Sequence, residues 1–174
     1  PEGGAALGRG FASCGALQRL ELKLNNNELG EVGGAALAEG LEQCQKLLAL
    51  DVGLRQTGIG DETGKALGRA VGACRGLTDL KLGLQSNEIG LWCAAALGRG
   101  IASCGAMQQL ELGLFENKLG EVGGTALVEG LGQCQQLLAL RLDLRWNDIG
   151  DDVKVQLHSQ LEAMGLKEMH VTLY

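Results

Sequence analysis

The stretch from Leu80 to Gly90 reads LKLGLQSNEIG, and closely similar stretches recur about every 30 residues along the chain. Its first half alternates apolar and polar residues, which is the pattern of a β-strand with one buried face. Its second half is a polar turn that ends in an Asn, an apolar residue and a Gly. A fixed period of this length is typical of solenoid proteins, in which each repeat forms one structural turn.

Breaking the sequence after each turn glycine divides the chain into six units. The units are residues 1–30, 31–60, 61–90, 91–120 and 121–150, followed by a shorter unit, 151–174. The last unit has a more polar helical half and one residue fewer before its strand, so we expect it to cap the C-terminal end. Because the first residues read as the middle of a repeat, we expect this single domain to be part of a longer chain.

The first half of each unit has the periodicity of a helix, with apolar residues on one face and acidic or amide residues on the other. An acidic residue precedes most of these helices, where we expect it to stabilise the N–H groups of its own helix. These residues are Glu31, Asp61, Glu121 and Asp151. The predicted fold class is α/β, with a parallel sheet on one side and helices on the other. Strands stack about 4.8 Å apart and helices about 10 Å apart, which predicts a solenoid curved with its strands on the concave side.

Composition and charge exclude two classes of protein. The net charge is −6 and there is no basic run, so the sequence lacks the signature of a nucleic-acid-binding protein. No apolar run approaches the roughly 18 residues that a membrane-spanning helix requires, and we expect no membrane insertion.

The segment from Leu77 to Gly90, L-x-x-L-x-L-x-L-x-x-N-x-I-G, resembles the leucine-rich repeat. The helical segment from Gly34 to Cys44 is similar to the ribonuclease-inhibitor-like class of that family. Two extra residues before the Asn add a third inward-facing strand leucine, a variant similar to repeat arrays of unicellular eukaryotes. The added leucines are Leu24, Leu54, Leu84, Leu114 and Leu144.

The resemblance implies a non-catalytic scaffold that binds a protein partner through its concave face and the adjoining loops, with no cofactor. One alternative is a structural spacer within a larger complex, contacted along several faces. A third is regulation of a small GTPase, although no Asn or Arg of this chain can be matched to that activity. A focused binding patch favours recognition, whereas diffuse sensitivity to substitution favours the spacer.

Two rows of equivalent residues are predicted to be structural. The first row contains Cys14, Cys44, Cys74, Cys104 and Cys134. One cysteine per turn cannot converge on a metal ion, so we interpret these residues as small buried side chains in a reducing, cytoplasmic compartment. The second row contains Asn27, Asn87, Asn117 and Asn147. Their amides are expected to hydrogen-bond the backbone of adjacent turns.

The concave face is predicted to display the strand residues that lie between the leucines. One row mixes both signs of charge and includes Glu111 and Arg141. The next row contains three glycines, Gly53, Gly83 and Gly113. These glycines predict a bare strip that another backbone could approach, or they relieve crowding on a curved sheet.

Large aromatic residues give the most specific functional signal. Trp92, Phe115, Trp146 and Tyr174 fall in or beside the loops that follow the strands. Exposed aromatic residues often anchor protein interfaces, so we take them as candidate binding residues, together with Glu111, Arg141 and Arg145. Alternatively, each aromatic side chain packs on its own loop.

Catalytic readings find little support in this sequence. His158 and His170 lie in the last unit, with no nucleophile or acid at a suggestive spacing. The Gly-Arg-Gly runs lie within predicted helices rather than after strands, so they do not match phosphate-binding loops. We therefore predict no catalytic, cofactor-binding or metal-binding residues.

Overall fold

The computed structural model describes all 174 residues, Pro1 to Tyr174, in which six helices alternate with six strands. The helices are α1 (Glu2–Ala12), α2 (Gly30–Glu42), α3 (Asp61–Ala73), α4 (Leu91–Ser103), α5 (Gly120–Leu131) and α6 (Asp151–Glu162). The strands are β1 (Arg19–Lys23), β2 (Ala49–Gly53), β3 (Asp79–Gly83), β4 (Gln109–Gly113), β5 (Ala139–Asp143) and β6 (Glu168–Thr172). Each unit of the sequence therefore forms one helix and one strand.

The six strands form one parallel sheet in the order β1 to β6. Equivalent residues of successive units lie opposite each other, as Leu50, Leu80 and Leu110 do. In the shorter last unit the pairing moves by one residue, so that Met169 lies opposite Leu140. The register thus keeps apolar residues aligned even where the unit length changes, because a slip of one residue would turn the apolar side chains to the other face.

The core lies between the sheet and the helices and runs the length of the chain. It is one continuous cluster of 41 buried residues, built mainly from leucines. In β3, Leu80 and Leu82 are buried while Lys81 between them is exposed, as the alternation predicts. No helix is long and apolar enough to cross a membrane.

Neighbouring helices pack through glycines rather than through large side chains. A methyl group on Gly100 would overlap the carbonyl oxygen of Gly68 in the preceding helix, and one on Gly40 would overlap that of Gly8. Glycine permits this close approach because it has no Cβ atom. These glycines therefore let neighbouring helices lie closer together. The closer packing reduces the difference between helix spacing and strand spacing, which is the difference that bends the solenoid.

Candidate functional site

The buried asparagines bind the turns to one another. The Asn87 amide nitrogen donates hydrogen bonds to the carbonyl oxygens of Leu54 in the preceding turn (2.8 Å) and Leu84 in its own turn (3.0 Å). Its side-chain oxygen accepts from the N–H groups of Thr57 and Gly58, both at 3.0 Å. Because Leu54, Thr57 and Leu84 are buried, the amide satisfies backbone groups that water does not readily reach, whereas Gly58 is exposed.

The row of asparagines is uneven along the chain. Asn117 and Asn147 are buried and repeat the bonds to the preceding turn, whereas Asn27 is exposed and bonds only within its own turn. In the second unit Thr57 takes the place of the asparagine, and its hydroxyl donates to the carbonyl oxygen of Leu54 at 2.7 Å. The shorter Thr side chain makes no hydrogen bond to the preceding turn.

The cysteines of the predicted row are free thiols that differ in burial. Cys74 and Cys104 are buried, and their thiols donate to the carbonyl oxygens of Cys44 (3.4 Å) and Val71 (2.9 Å) in the preceding unit. Burial raises the pKa of Cys74 to about 11 and that of Cys104 to about 12. These thiols therefore stay protonated and unreactive near neutral pH.

The remaining cysteines range from exposed to buried. Cys14 is exposed, Cys44 is buried and Cys134 is half-buried. Burial raises the pKa of Cys134 to about 11. The pKa of Cys44 is raised by its burial and, secondly, by the charge of the neighbouring Cys14 thiolate. The sixth cysteine, Cys93, lies outside the row in α4, where burial first and then the Asp61 charge raise its pKa. No group of three or more His, Cys, Asp or Glu residues is placed to hold a metal ion.

Acidic residues at the helix starts bind the helix of the following unit. The Glu31 carboxylate accepts hydrogen bonds from three backbone N–H groups around the start of α3 and, at 3.0 Å, from the Thr63 hydroxyl. Asp61 likewise accepts from the N–H groups of Gly90 (2.9 Å) and Cys93 (3.0 Å) at α4. The expectation that each acid stabilises its own helix is wrong for these two residues. Parallel stacking places successive helix N-termini side by side, and the carboxylates reach across.

The glycine strip of the concave face is not bare. A Cβ atom on Gly53 would meet the side chain of Asn25 at 2.9 Å, and one on Gly113 would overlap the side chain of Gln85. Both glycines are buried. The prediction of an open strip for an approaching backbone is therefore wrong, because longer polar side chains of the same face lie over the glycines.

The charged row of the concave face is partly paired. Lys81 lies 3.7 Å from Glu111 across neighbouring strands, and Glu111 is opposite Arg141 in the register of β4 and β5. Arg141 is exposed and has no carboxylate within ion-pair distance. Together with Asp79 and Glu168 at the same groove, these residues form a polar surface of mixed charge.

Phe115 and Trp146 form an aromatic pair on adjacent loops. Their ring centroids are 5.6 Å apart at an angle of 42°, and the Arg145 guanidinium lies over the Phe115 ring at 5.3 Å. The guanidinium donates two hydrogen bonds to the Asp143 carboxylate, from Nε at 2.9 Å and from Nη2 at 2.7 Å. The hydrogen bonds and the charge of Asp143 raise the pKa of Arg145. We call these four residues the aromatic cluster.

Trp146 is strongly exposed and has an unfavourable backbone conformation. Trp146 is 72% exposed, and its φ angle of 56° lies in the left-handed region. The equivalent residues Asn26, Gln56, Ser86 and Glu116 share this conformation. A left-handed conformation is rare for bulky residues and is several-fold more common for Asn. The repeating turn therefore imposes strain at a position that Trp occupies only in the fifth unit.

The other two aromatic candidates lie apart from this cluster. Trp92 is 61% exposed at the second position of α4, with Lys65 of the preceding helix 5.9 Å from its ring. Tyr174 is also exposed, and Lys154 of α6 lies 5.1 Å from its ring. Of the four predicted aromatic residues, only Phe115 and Trp146 lie in contact with each other.

Sequence reasoning missed several exposed apolar residues. Val32 and Val122 occupy the same position in their units as Trp92, and all three are exposed at helix starts. Val155 of α6 is exposed as well. Comparing this row across the units would have revealed the first two. Asp143 has the position of Gly53, Gly83 and Gly113 in its unit, and the sequence did not reveal its contact with Arg145, because that contact depends on the loop conformation.

Comparisons with known proteins show similarity in fold. No family model and no curated protein matches the sequence. Leiomodin-1 actin-binding site 2 has a TM-score of 0.64 and 14% identity, covering 92% of this chain and 84% of that one. The tropomodulin C-terminal domain from Caenorhabditis elegans has a TM-score of 0.61 and 15% identity, covering 94% and 92%. An internalin from Listeria monocytogenes has a TM-score of 0.50 and 18% identity, and this chain spans 93% of its own length and 45% of the internalin.

These structures share with this chain a fold that the phased leucines and asparagines already indicate. Each unit contributes one strand to a single parallel sheet and one helix to the opposite layer. The chain therefore has the fold of a leucine-rich-repeat solenoid.

Proposed function

We propose that this chain is a non-catalytic module that binds a protein partner through the aromatic cluster and the adjoining concave face. The observation that carries the proposal is the exposed Trp146, paired with Phe115 and held at a strained backbone position. Strained residues tend to persist where function requires them. Large aromatic and Arg side chains are also the residues that contribute most to protein interfaces.

Contacts within the cluster restrain the side chains of Arg145 and Phe115. Asp143 fixes Arg145 by two hydrogen bonds, and Arg145 in turn covers one face of Phe115. The buried Asn147 anchors the loop that carries Trp146, with its amide bonded to the Leu114 carbonyl at 2.8 Å. A prearranged surface loses little side-chain entropy on binding, which favours affinity.

The concave face can extend this surface. Glu111 and Arg141 lie on the strands that lead into the two loops of the cluster, and Arg141 carries no ion pair. Charges of mixed sign around an aromatic centre give specificity and orientation more than affinity. We therefore assign these two residues to the periphery of the proposed interface.

The absence of an evident nucleophile supports a binding role over a catalytic one. The buried thiols Cys74 and Cys104 have pKa values of about 11 and 12, far above that of a reactive cysteine. His158 Nε2 lies 3.3 Å from a Glu162 carboxylate oxygen on the exposed face of α6. The free thiols are also consistent with the proposed cytoplasmic or other reducing location.

Actin is a defined partner that can be tested directly, since one structure of similar fold is named as an actin-binding site. At 14% identity this likeness concerns the fold, so actin enters as one candidate among protein partners. Co-sedimentation of the purified chain with filamentous actin gives the answer. Binding that the Phe115→Ala/Trp146→Asn variant loses would make actin the partner of the cluster.

The main experiment is affinity capture from an extract of the source cells. We expect the wild-type chain to retain a partner, the Phe115→Ala/Trp146→Asn variant to lose it, and Trp92→Glu to keep it. The control removes an exposed Trp outside the cluster and introduces the residue that the third unit has at this position. Unchanged capture by the double variant, with an unchanged circular dichroism spectrum, would contradict the proposal.

A spacer within a larger complex is the second candidate. It is favoured by exposed apolar residues on other surfaces, namely Val32, Trp92, Val122 and Tyr174. If variants at these four positions and variants in the cluster reduce partner capture to a similar extent, the spacer is supported. A focused loss at the cluster would support recognition.

A further inference from the structure

We propose that the aromatic cluster recognises a basic segment of its partner, with a Lys or Arg side chain lying on the Trp146 ring and attracted by the carboxylates of Glu116 and Asp148 on the same two loops. This inference rests on the proposed function and adds the chemical class of the ligand. It follows from the balance of charge around the cluster and from the way the loops fix it.

The two loops of the cluster carry negative charge that no basic residue of the chain pairs with. The charges of Arg145 and Asp143 cancel in their two-bonded pair. Glu116 accepts one hydrogen bond, from the Ser86 hydroxyl at 2.7 Å, and has no cationic partner. Asp148 is exposed and makes neither a side-chain hydrogen bond nor an ion pair. The surface around the two rings therefore carries two free carboxylates.

Lys118, on the loop that also carries Phe115 and Glu116, does not alter this balance. Lys118 is bonded to Glu88 of the preceding unit, so it is already neutralised. The chain as a whole has a net charge of −6, which adds to the attraction for a cation.

Backbone hydrogen bonds join the loop that carries Glu116 to the loop that carries Trp146 and Asp148. The N–H of Glu116 donates to the carbonyl of Arg145 at 3.0 Å, and that of Asn117 donates to the carbonyl of Trp146 at 3.2 Å. The two loops therefore lie against each other. Trp146 and Asp148 both have left-handed backbone, on either side of the buried Asn147. These contacts fix the backbone of the two loops, so the rings and the acidic residues extend from neighbouring positions.

Other ligand classes fit this surface less well. An acidic segment would meet two free carboxylates, and Arg145 could pair with it only after leaving Asp143. A purely apolar segment would bury the carboxylates without a partner, which is strongly unfavourable. A basic side chain supplies the missing charge and also gains a cation–π contact with the exposed Trp ring.

The test uses three short fluorescent peptides that are identical except for positions carrying Arg, Gln or Glu. Binding is measured by fluorescence anisotropy at roughly physiological ionic strength, where long-range attraction is screened. We expect the Arg peptide to bind about tenfold more tightly than the Gln peptide, and the Glu peptide to bind most weakly.

Two variants divide the contributions of ring and charge. Trp146→Asn keeps every charge, and Glu116→Gln/Asp148→Asn keeps both rings; each should weaken Arg-peptide binding by about tenfold. The matched control is Glu39→Gln/Glu129→Gln, which makes the same change in net charge on the exposed helix side. We expect this control to bind as the wild type does.

Three results would overturn the inference. They are equal weakening by the control pair, which indicates attraction by net charge alone; equal binding of the Arg and Gln peptides; and no detectable binding of the Arg peptide. If protein capture is still lost in the Phe115→Ala/Trp146→Asn variant, the proposed function stands while the basic ligand is rejected. If that variant captures its partner normally, the proposed function itself fails.

Discussion

Asn87 shows how a single buried side chain can connect two turns of the solenoid. Its amide nitrogen and oxygen bond backbone groups in two units, and three of these groups, on Leu54, Thr57 and Leu84, are buried. We expect Asn87→Ala to lower the free energy of unfolding by about 3 kcal/mol or more, because several buried polar groups lose their partner. Urea unfolding followed by circular dichroism measures this loss.

Asn27 is the matched control because it has the same position in its unit but is exposed. Asn27→Ala should lower the free energy of unfolding by less than about 1 kcal/mol, since water can replace its bonds. Equal losses in the two variants would mean that hydrogen bonds between turns stabilise the fold no more than hydrogen bonds within one turn.

Trp146 is the residue at which stability and function are expected to conflict. Replacement by Asn, the residue of the first unit, removes the left-handed strain of a bulky side chain, worth about 1–2 kcal/mol. It also removes the exposed ring contact with Phe115, worth about 0.5–1.5 kcal/mol. We expect Trp146→Asn to be as stable as wild type or up to about 1 kcal/mol more stable, in urea unfolding. A loss above about 1 kcal/mol would show that the Trp has a structural role.

At the scale of helices, the close packing of α3 on α4 depends on glycine. Gly100→Ala gains helix propensity of about 1 kcal/mol, but its methyl group would overlap the Gly68 carbonyl and force the helices apart. We expect a net loss of about 2 kcal/mol or more in thermal or urea unfolding. The control is Gly10→Ala in α1, where no atom lies near the added methyl group. That variant should gain about 0.5–1 kcal/mol, and a loss at Gly10 comparable to that at Gly100 would refute the packing argument.

The acidic residues provide a second link between neighbouring helices. Glu31→Ala leaves N–H groups at the start of α3 without their acceptor, and we expect a loss of about 1–2 kcal/mol. Glu121 has the same position in its unit but is exposed and accepts no hydrogen bond through its carboxylate. Glu121→Ala should therefore change the unfolding free energy by less than about 0.5 kcal/mol. Similar losses for both variants would indicate a general effect of charge.

At the scale of the whole molecule, thiol reactivity reports the integrity of the stack. At about pH 8, we expect one thiol, the exposed Cys14, to react quickly with Ellman's reagent. The half-buried Cys134 should react more slowly than Cys14, and the four buried thiols only as the chain unfolds; Cys14→Ser should abolish the fast phase. A second fast thiol in that variant would show that the stack opens locally.

The same thiols predict the response to alkaline pH. Cys74 and Cys104 have folded pKa values of about 11 and 12, raised by burial from a reference of 9.0. Above the reference value the unfolded chain loses these protons while the folded chain keeps them, so stability falls as pH rises towards 11 to 12. The urea midpoint should decrease across this window, and less steeply in a Cys104→Ala variant.

Much of the architecture could be predicted from the repeat alone. The alternation around Leu80 and Leu82 gave the strands and their buried face, and the position of Asn87 gave its role in the loop. The sequence identified the aromatic residues as candidates for binding, but it did not show which of them lie together. The structure joined Phe115 to Trp146 and left Trp92 separate, because contact between loops depends on side-chain direction.

The sequence by itself determined the period, the order of helix and strand, and the alignment of equivalent leucines, since a repeated pattern can bury its apolar face only by stacking in register. Only the tertiary structure decided that Glu31 binds the next helix, that Gln85 covers the glycine strip, and that Asp143 holds Arg145 over Phe115. Each of these contacts joins residues through the geometry of loops or neighbouring turns. Local periodicity describes the faces of each element, but it does not contain the distances between side chains that meet across them.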